Sequence, residues 1–155
     1  MATTILKMTE HSAVVSLLTT ELNSLANNTN TAAGAAVTNA VGQSNLDGYT
    51  RGKVELVLAA YTGTPTANTC VKVWFLKTID GTNYEDGSAS VTPARRPDVV
   101  IPVGAIASGP QRVTVECWMP VGTFKPMARN DGTGITFAAS GNTVKVLLNT
   151  DTGVS

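Results

Sequence analysis

The chain has 155 residues, enough for one domain with a core of its own, and only 14% of them are charged. Eleven basic residues balance eleven acidic ones, which argues against a nucleic-acid binder and against a polybasic membrane-surface protein. No apolar run approaches the ~20 residues that a membrane-spanning helix needs.

The amino terminus, "MATTILKMTEHS", lacks the basic and apolar regions of a secretory signal, so synthesis and residence in a cytosol are expected. In the next stretch, "EHSAVVSLLTTELNSLANN", Val14, Leu18, Leu22 and Leu25 stand at helical spacing, with Thr9 or Ser12 as a cap. The spacing predicts a short amphipathic helix; a strand through Ala13–Leu18 is the alternative, because "AVVSLL" also suits one. The following "NTNTAAGAAVTNAVGQSNLDG" is small, polar and aperiodic, and reads as an extended arm that orders against a partner. The chain thus divides into a helix and arm over 1–48 and a β-domain over 49–155.

From Tyr49 onward, β-branched runs alternate with Gly, Asn, Asp and Pro turns. "RGKVELVLAAY" alternates Val54, Leu56 and Leu58 with Lys53, Glu55 and Val57. "TCVKVWFLKTI" sets Val71, Val73 and Phe75 against Lys72, Trp74 and Leu76. "RPDVVIPV", bounded by Pro97 and Pro102, suits a sheet edge. "QRVTVECWM" alternates Val113, Val115 and Cys117 with Arg112, Thr114, Glu116 and Trp118. "TFKPMAR", "GITFAA" and "NTVKVLLN" read as three closing strands joined by hairpin turns at "NDGTG" and "SGN". Seven or eight strands at this spacing predict an all-β fold, an antiparallel β-sandwich of jelly-roll type.

Candidate chemistry is sparse. Cys70 and Cys117 each lie in an apolar strand and read as buried reduced thiols, with a disulfide possible only if their strands are neighbours. "TIDGTNYEDG" at 78–87 gathers Asp80, Glu85 and Asp86. A calcium loop would place Tyr84 at a ligand position and Val91 where the closing carboxylate belongs. A glycosidase pair would need carboxylates facing across a cleft, whereas Glu85 and Asp86 are adjacent. Asp-Gly, twice, is turn chemistry. No nucleophile elbow, phosphate loop or dinucleotide fingerprint occurs, and "NDGTG" opens no helix, so no enzyme, cofactor or metal is expected. Trp74 and Trp118 either pack a second core layer or serve as contact anchors. The paired arginines of "ARRP", Arg95 and Arg96, are a solvated loop or a partner-binding one.

The succession "VKVWFLKTIDGTNYEDGS", "RRPDVVIPV" and "ECWMPVGTFKPMARNDGTGITFAASGNTVKV" resembles small β-sandwich proteins of tailed-phage virions, capsid decoration (cement) proteins in particular. The resemblance covers about residues 50–148 and rests on the style of strand and turn, without a diagnostic motif. It implies a structural virion protein on the capsid surface, a homodimer or homotrimer that binds the major capsid protein and holds capsomers together, with no role for nucleic acid or membrane. The contact residues it suggests are Asn28, Thr31, Val37 and Val41 in the arm, Thr64 and Pro65 in "GTPTAN", and Arg95 and Arg96. The rival reading is a carbohydrate- or receptor-binding module of a tail or fibre, with Trp74, Trp118 and Tyr84 meeting the glycan.

Overall fold

The structure is a computed structural model. It describes the backbone of residues 5–39 and 50–154, and the side chains of residues 13–39 and 50–149.

Eight strands follow in chain order: β1 (Ile5–Leu18), β2 (Val37–Asn39), β3 (Arg51–Leu58), β4 (Thr69–Lys77), β5 (Val99–Val103), β6 (Gln111–Trp118), β7 (Gly122–Asp131) and β8 (Thr143–Val154). They form two four-stranded antiparallel sheets, ordered β1-β8-β3-β6 and β2-β7-β4-β5. Every connection except β4–β5 crosses from one sheet to the other. The fold is therefore all-β, a two-sheet sandwich.

Alternation explains the first sheet. Along β3, burial alternates residue by residue, and Val54, Leu56 and Leu58 point inward. Val144, Val146 and Leu148 of β8 share that face, and the row meets Val71, Val73 and Phe75 of β4 and Phe124 and Ala128 of β7 in one core. The rings of Phe75 and Phe124 lie 4.9 Å apart at 58° within it. As "RPDVVIPV" suggests, β5 is an edge strand.

The helix expected around Val14–Leu25 is corrected. This stretch is a strand, β1, followed by a single 3-10 turn over Thr20–Leu22, so the Ala13–Leu18 strand is the alternative that fits. The apparent helical stripe breaks because Val14 faces solvent, 59% exposed, while Leu17, Leu18, Leu22 and Leu25 enter the core. Two register shifts in the β1–β8 pairing, between Glu10 and Val14 and between Ser16 and Leu18, let consecutive leucines turn inward. The segment before residue 49 thus supplies β1 to one sheet and β2 to the other.

The "GITFAA" strand is corrected as well. Residues 134–139 are irregular and cross from β7 to β8 over one end of the sandwich, where Ile135 and Phe137 fill the core. Their backbone bonds go to the chain after β1: Phe137 N–H donates to Leu25 O at 3.1 Å, and Ser24 N–H to Ala138 O at 2.9 Å. A hydrophobic alternation too short to pair with a neighbour serves here as a plug.

Candidate interaction surface

The two outer faces of the sandwich differ, and the difference begins with the β4–β5 connection. Residues 78–98 fold back over the outer face of the β2-β7-β4-β5 sheet. Trp74, Leu76 and Met127 point outward from that sheet but are buried, forming a second small core with Ala33 and Tyr84. Trp74 Nε1–H donates to Arg95 O at 3.1 Å. A Cβ on Gly87 would stand 2.9 Å from a Leu76 methyl and 3.0 Å from Met127 Sδ, so a larger residue here would require both side chains to shift.

Arg95 fastens the cover. Its Nε and Nη2 donate to Glu85 Oε2 at 3.0 Å, its Nη1 to Asp98 Oδ2 at 2.8 Å, and its Nη2 also to Phe75 O at 2.7 Å. The same carboxylates take backbone donors from β4, Lys77 N–H on Glu85 and Phe75 N–H on Asp98. Five donors on a planar fork suit this multiple role, which lysine could not fill. Arg96, its neighbour, is exposed. Arg95→Met is expected to cost about 2 kcal/mol, because it leaves Asp98 and Glu85 without their cation and the Phe75 carbonyl without the guanidinium donor; Arg96→Met should be nearly neutral. Urea unfolding of the two variants checks the contrast.

In "TIDGTNYEDG" Asp80 organises a turn, while Glu85 belongs to the Arg95 clamp. Asp80 Oδ1 accepts from Thr82 N–H at 2.8 Å and Asn83 N–H at 2.7 Å, and Oδ2 from Asn83 Nδ2 at 2.7 Å. These donors, backbone first, hold its carboxyl well below the ordinary range. Burial pushes Glu85 upward, but Lys77 N–H and Arg95 outweigh it and its pKa is lowered. Asp131 is lowered by Lys72, whose Nζ lies 2.6 Å from Oδ2, and by Arg129. A carboxylate with a depressed folded-state pKa contributes stability that is present above its unfolded pKa and lost as pH falls through the folded one. Stability should therefore be level from neutral pH to about pH 5 and decline below about pH 4. A series of urea midpoints against pH measures this.

The expected contact residues are dispersed. Thr31 is buried; its N–H donates to Ala128 O at 2.8 Å and its Oγ1 accepts from Ala128 N–H at 3.0 Å. Asn28 is exposed in a left-handed turn (φ 60°), its N–H donating to Asn130 O at 2.7 Å and its Oδ1 accepting from Gly132 N–H at 2.9 Å. Val37 begins β2 opposite Phe124 and packs on the core. Residues 28–39 of the arm are thus ordered against the chain's own β7, while Val41 lies outside the described residues. Pro65 is buried and Thr64 exposed.

Trp74 and Tyr84 come together in the small core, with Lys125 Nζ 4.4 Å from the Tyr84 ring centroid. Trp118 lies on the opposite outer face, so the three aromatics form no common platform. There Trp118 is 68% exposed, with the Arg51 guanidinium 4.9 Å from its ring centroid. Trp118 and Val14 are the two large apolar side chains that the β1-β8-β3-β6 face leaves most open. Arg112, Thr114 and Glu116 are exposed beside them on β6. The sequence set Trp118 on the side of β6 opposite its valine row, as found, but did not distinguish it from Trp74, which the same reading put on the outward side of β4 and which is buried.

Cys70 and Cys117 are free and lie in different sheets. Burial pushes both thiols up, Cys117 to about 12, so neither is an activated nucleophile. Among the described residues, no group of three or more His, Cys, Asp and Glu is placed to hold a metal ion. No helix among them is long and apolar enough to cross a membrane. Comparison with protein-family models, with curated proteins and with solved structures finds no match.

Proposed function

We propose that the sandwich is a jelly roll, and that this chain is a structural virion protein that decorates a phage capsid and holds capsomers together. The observation that carries the reading is the strand order. Eight strands with β1 beside β8, and 1-8-3-6 facing 2-7-4-5, follow the two-Greek-key path of jelly rolls, a fold frequent in capsid and lectin domains. The resemblance of residues 50–148 to decoration proteins points the same way. The work is interface burial without catalysis or cofactor, and many small contacts on one shell add through multivalency.

The asymmetry of the faces supports docking of the major capsid protein on one of them. One face is sealed by 78–98, whereas the β1-β8-β3-β6 face offers Trp118, an anchor of the type that dominates interface energies. Arg95, Thr31 and Val37, bound within the protomer, are structural in this reading, and Arg96 and Thr64 remain exposed for contact. Co-sedimentation with particles stripped of the protein tests it. Wild type should saturate at a simple ratio to the shell protein, and Trp118→Ala should bind at least about 10-fold more weakly with an unchanged thermal midpoint.

The second reading, a glycan- or receptor-binding module, is favoured by one observation. Trp118 is an exposed aromatic with polar neighbours, Arg51 over its ring and Glu116 close by, a combination that sugar stacking uses. Quenching of Trp118 fluorescence by a glycan, without binding to shells, would select it.

A further inference from the structure

We propose that β6 is a self-complementary edge through which two copies of this chain join, antiparallel, about a twofold axis at Thr114. The inference concerns the free edge of the fold and stands apart from the virion reading.

A sandwich has four sheet edges, and three are blunted here. β1 is interrupted by two register shifts, β2 is three residues long, and β5 is five residues long and contains Pro102. β6 is different. It pairs with β3 from Gln111 to Trp118 without a shift, contains no proline, and ends its sheet. Among the described residues no strand lies beyond it. Its inward row, Val113, Val115 and Cys117, packs on the core yet is only half-buried, as apolar side chains are when a sheet stops short.

The sequence of the edge is "RVTVE", residues 112–116, a palindrome in shape with opposite charges at its ends. Antiparallel strands place residues opposite one another at a constant sum of numbers, and those opposite share a face. With Thr114 opposite itself, Val113 of each copy meets Val115 of the other on the core side. On the outer side, Arg112 of each copy meets Glu116 of the other. Both charged side chains are exposed; Arg112 uses Nη1 on Glu55, at 3.0 and 2.9 Å, and keeps further donors for a second carboxylate. Glu116 already stands opposite Lys53 within its own sheet. The joined rows would therefore alternate in sign, Arg112, Glu116, Lys53, across the dyad, and opposite charges directly across strands stabilise pairing. An edge protected by charge would instead repel its own copy. The assembly is an isologous dimer with one eight-stranded sheet, β1-β8-β3-β6 continued by β6-β3-β8-β1 of the second copy.

Two reversals test the pairing by mixing. Sedimentation equilibrium of the wild type should give a dimer. Arg112→Glu sets Glu opposite Glu at both ends and Glu116→Arg sets Arg opposite Arg, so each variant alone should dissociate about 100-fold more readily. Mixed one to one, the variants restore two Arg–Glu pairs and should form a heterodimer as tight as the wild type. That recovery excludes misfolding as the cause of either loss. Thr114→Cys supplies the register, because opposed Cα atoms about 5 Å apart lie within disulfide reach, and peptide mapping should find the link at residue 114. A monomeric wild type would overturn the proposal. So would a dimer that the single reversals leave intact, or one in which residue 114 cannot be linked to itself.

Discussion

Trp74→Ala is expected to lower the unfolding free energy by about 4 kcal/mol, a large part of the 5–15 kcal/mol typical of a domain. Trp74 is 2% exposed although it points away from the main core. Its ring is the floor on which residues 78–98 lie, and its Nε1–H holds the Arg95 carbonyl. Removal leaves a cavity between sheet and cover and an unpaired carbonyl, and Met127 and Leu76 lose their principal neighbour. Trp74→Phe keeps most of the volume and should cost about half as much. Urea midpoints measure both, and limited proteolysis should cut first within 78–98 in the alanine variant. A Trp74→Ala protein within about 1 kcal/mol of wild type would mean that the cover is not packed.

Asn130→Ala should be the next most damaging change, at about 3 kcal/mol. Asn130 is fully buried in β7, where the strand, the arm and the 134–139 crossing meet. Its Nδ2 donates to Leu25 O at 3.2 Å and to Ile135 O at 2.9 Å, and its Oδ1 accepts the Thr133 hydroxyl. Alanine takes the amide donor from both carbonyls and the acceptor from the Thr133 hydroxyl where water does not reach, leaving Leu25 O only the Phe137 N–H and Ile135 O only the longer Thr133 hydroxyl contact at 3.5 Å. Asn130→Asp should be no better, since a carboxylate would face two carbonyl oxygens in place of the amide that donates to them. Thermal unfolding of the two variants, with Asn83→Ala in the exposed turn as a comparison, checks the size and site-dependence of the loss.

The central strands were legible because their alternation is strict. "KVELVL" reads directly as inward Val54, Leu56 and Leu58. The amino-terminal strand was not, because bulges shift which face its residues take, and the resulting Val14, Leu18, Leu22, Leu25 spacing imitates a helix. Trp74 and Trp118 share one local pattern, an aromatic on the outward side of a strand. Only the return of 78–98 over one sheet buries the first and leaves the second open, and a return of that kind is set by tertiary packing. Arg95 and Arg96 differ for the same reason: Glu85 and Asp98 converge on one guanidinium, ten and three positions away in the chain. Asn130 carried no signal in sequence, since "NDG" reads as a turn whether or not its asparagine is a buried hub. Turn chemistry at Asp80 was legible in full, because its partners all lie within three residues.

The most direct test of the virion role is quantitative mass spectrometry of purified particles from the source of this chain, measured against their major shell protein. Shell decoration requires a copy number equal to that protein's or a simple fraction of it. A handful of copies per particle would contradict shell decoration and move the chain to a tail or fibre, and complete absence would remove the virion role altogether.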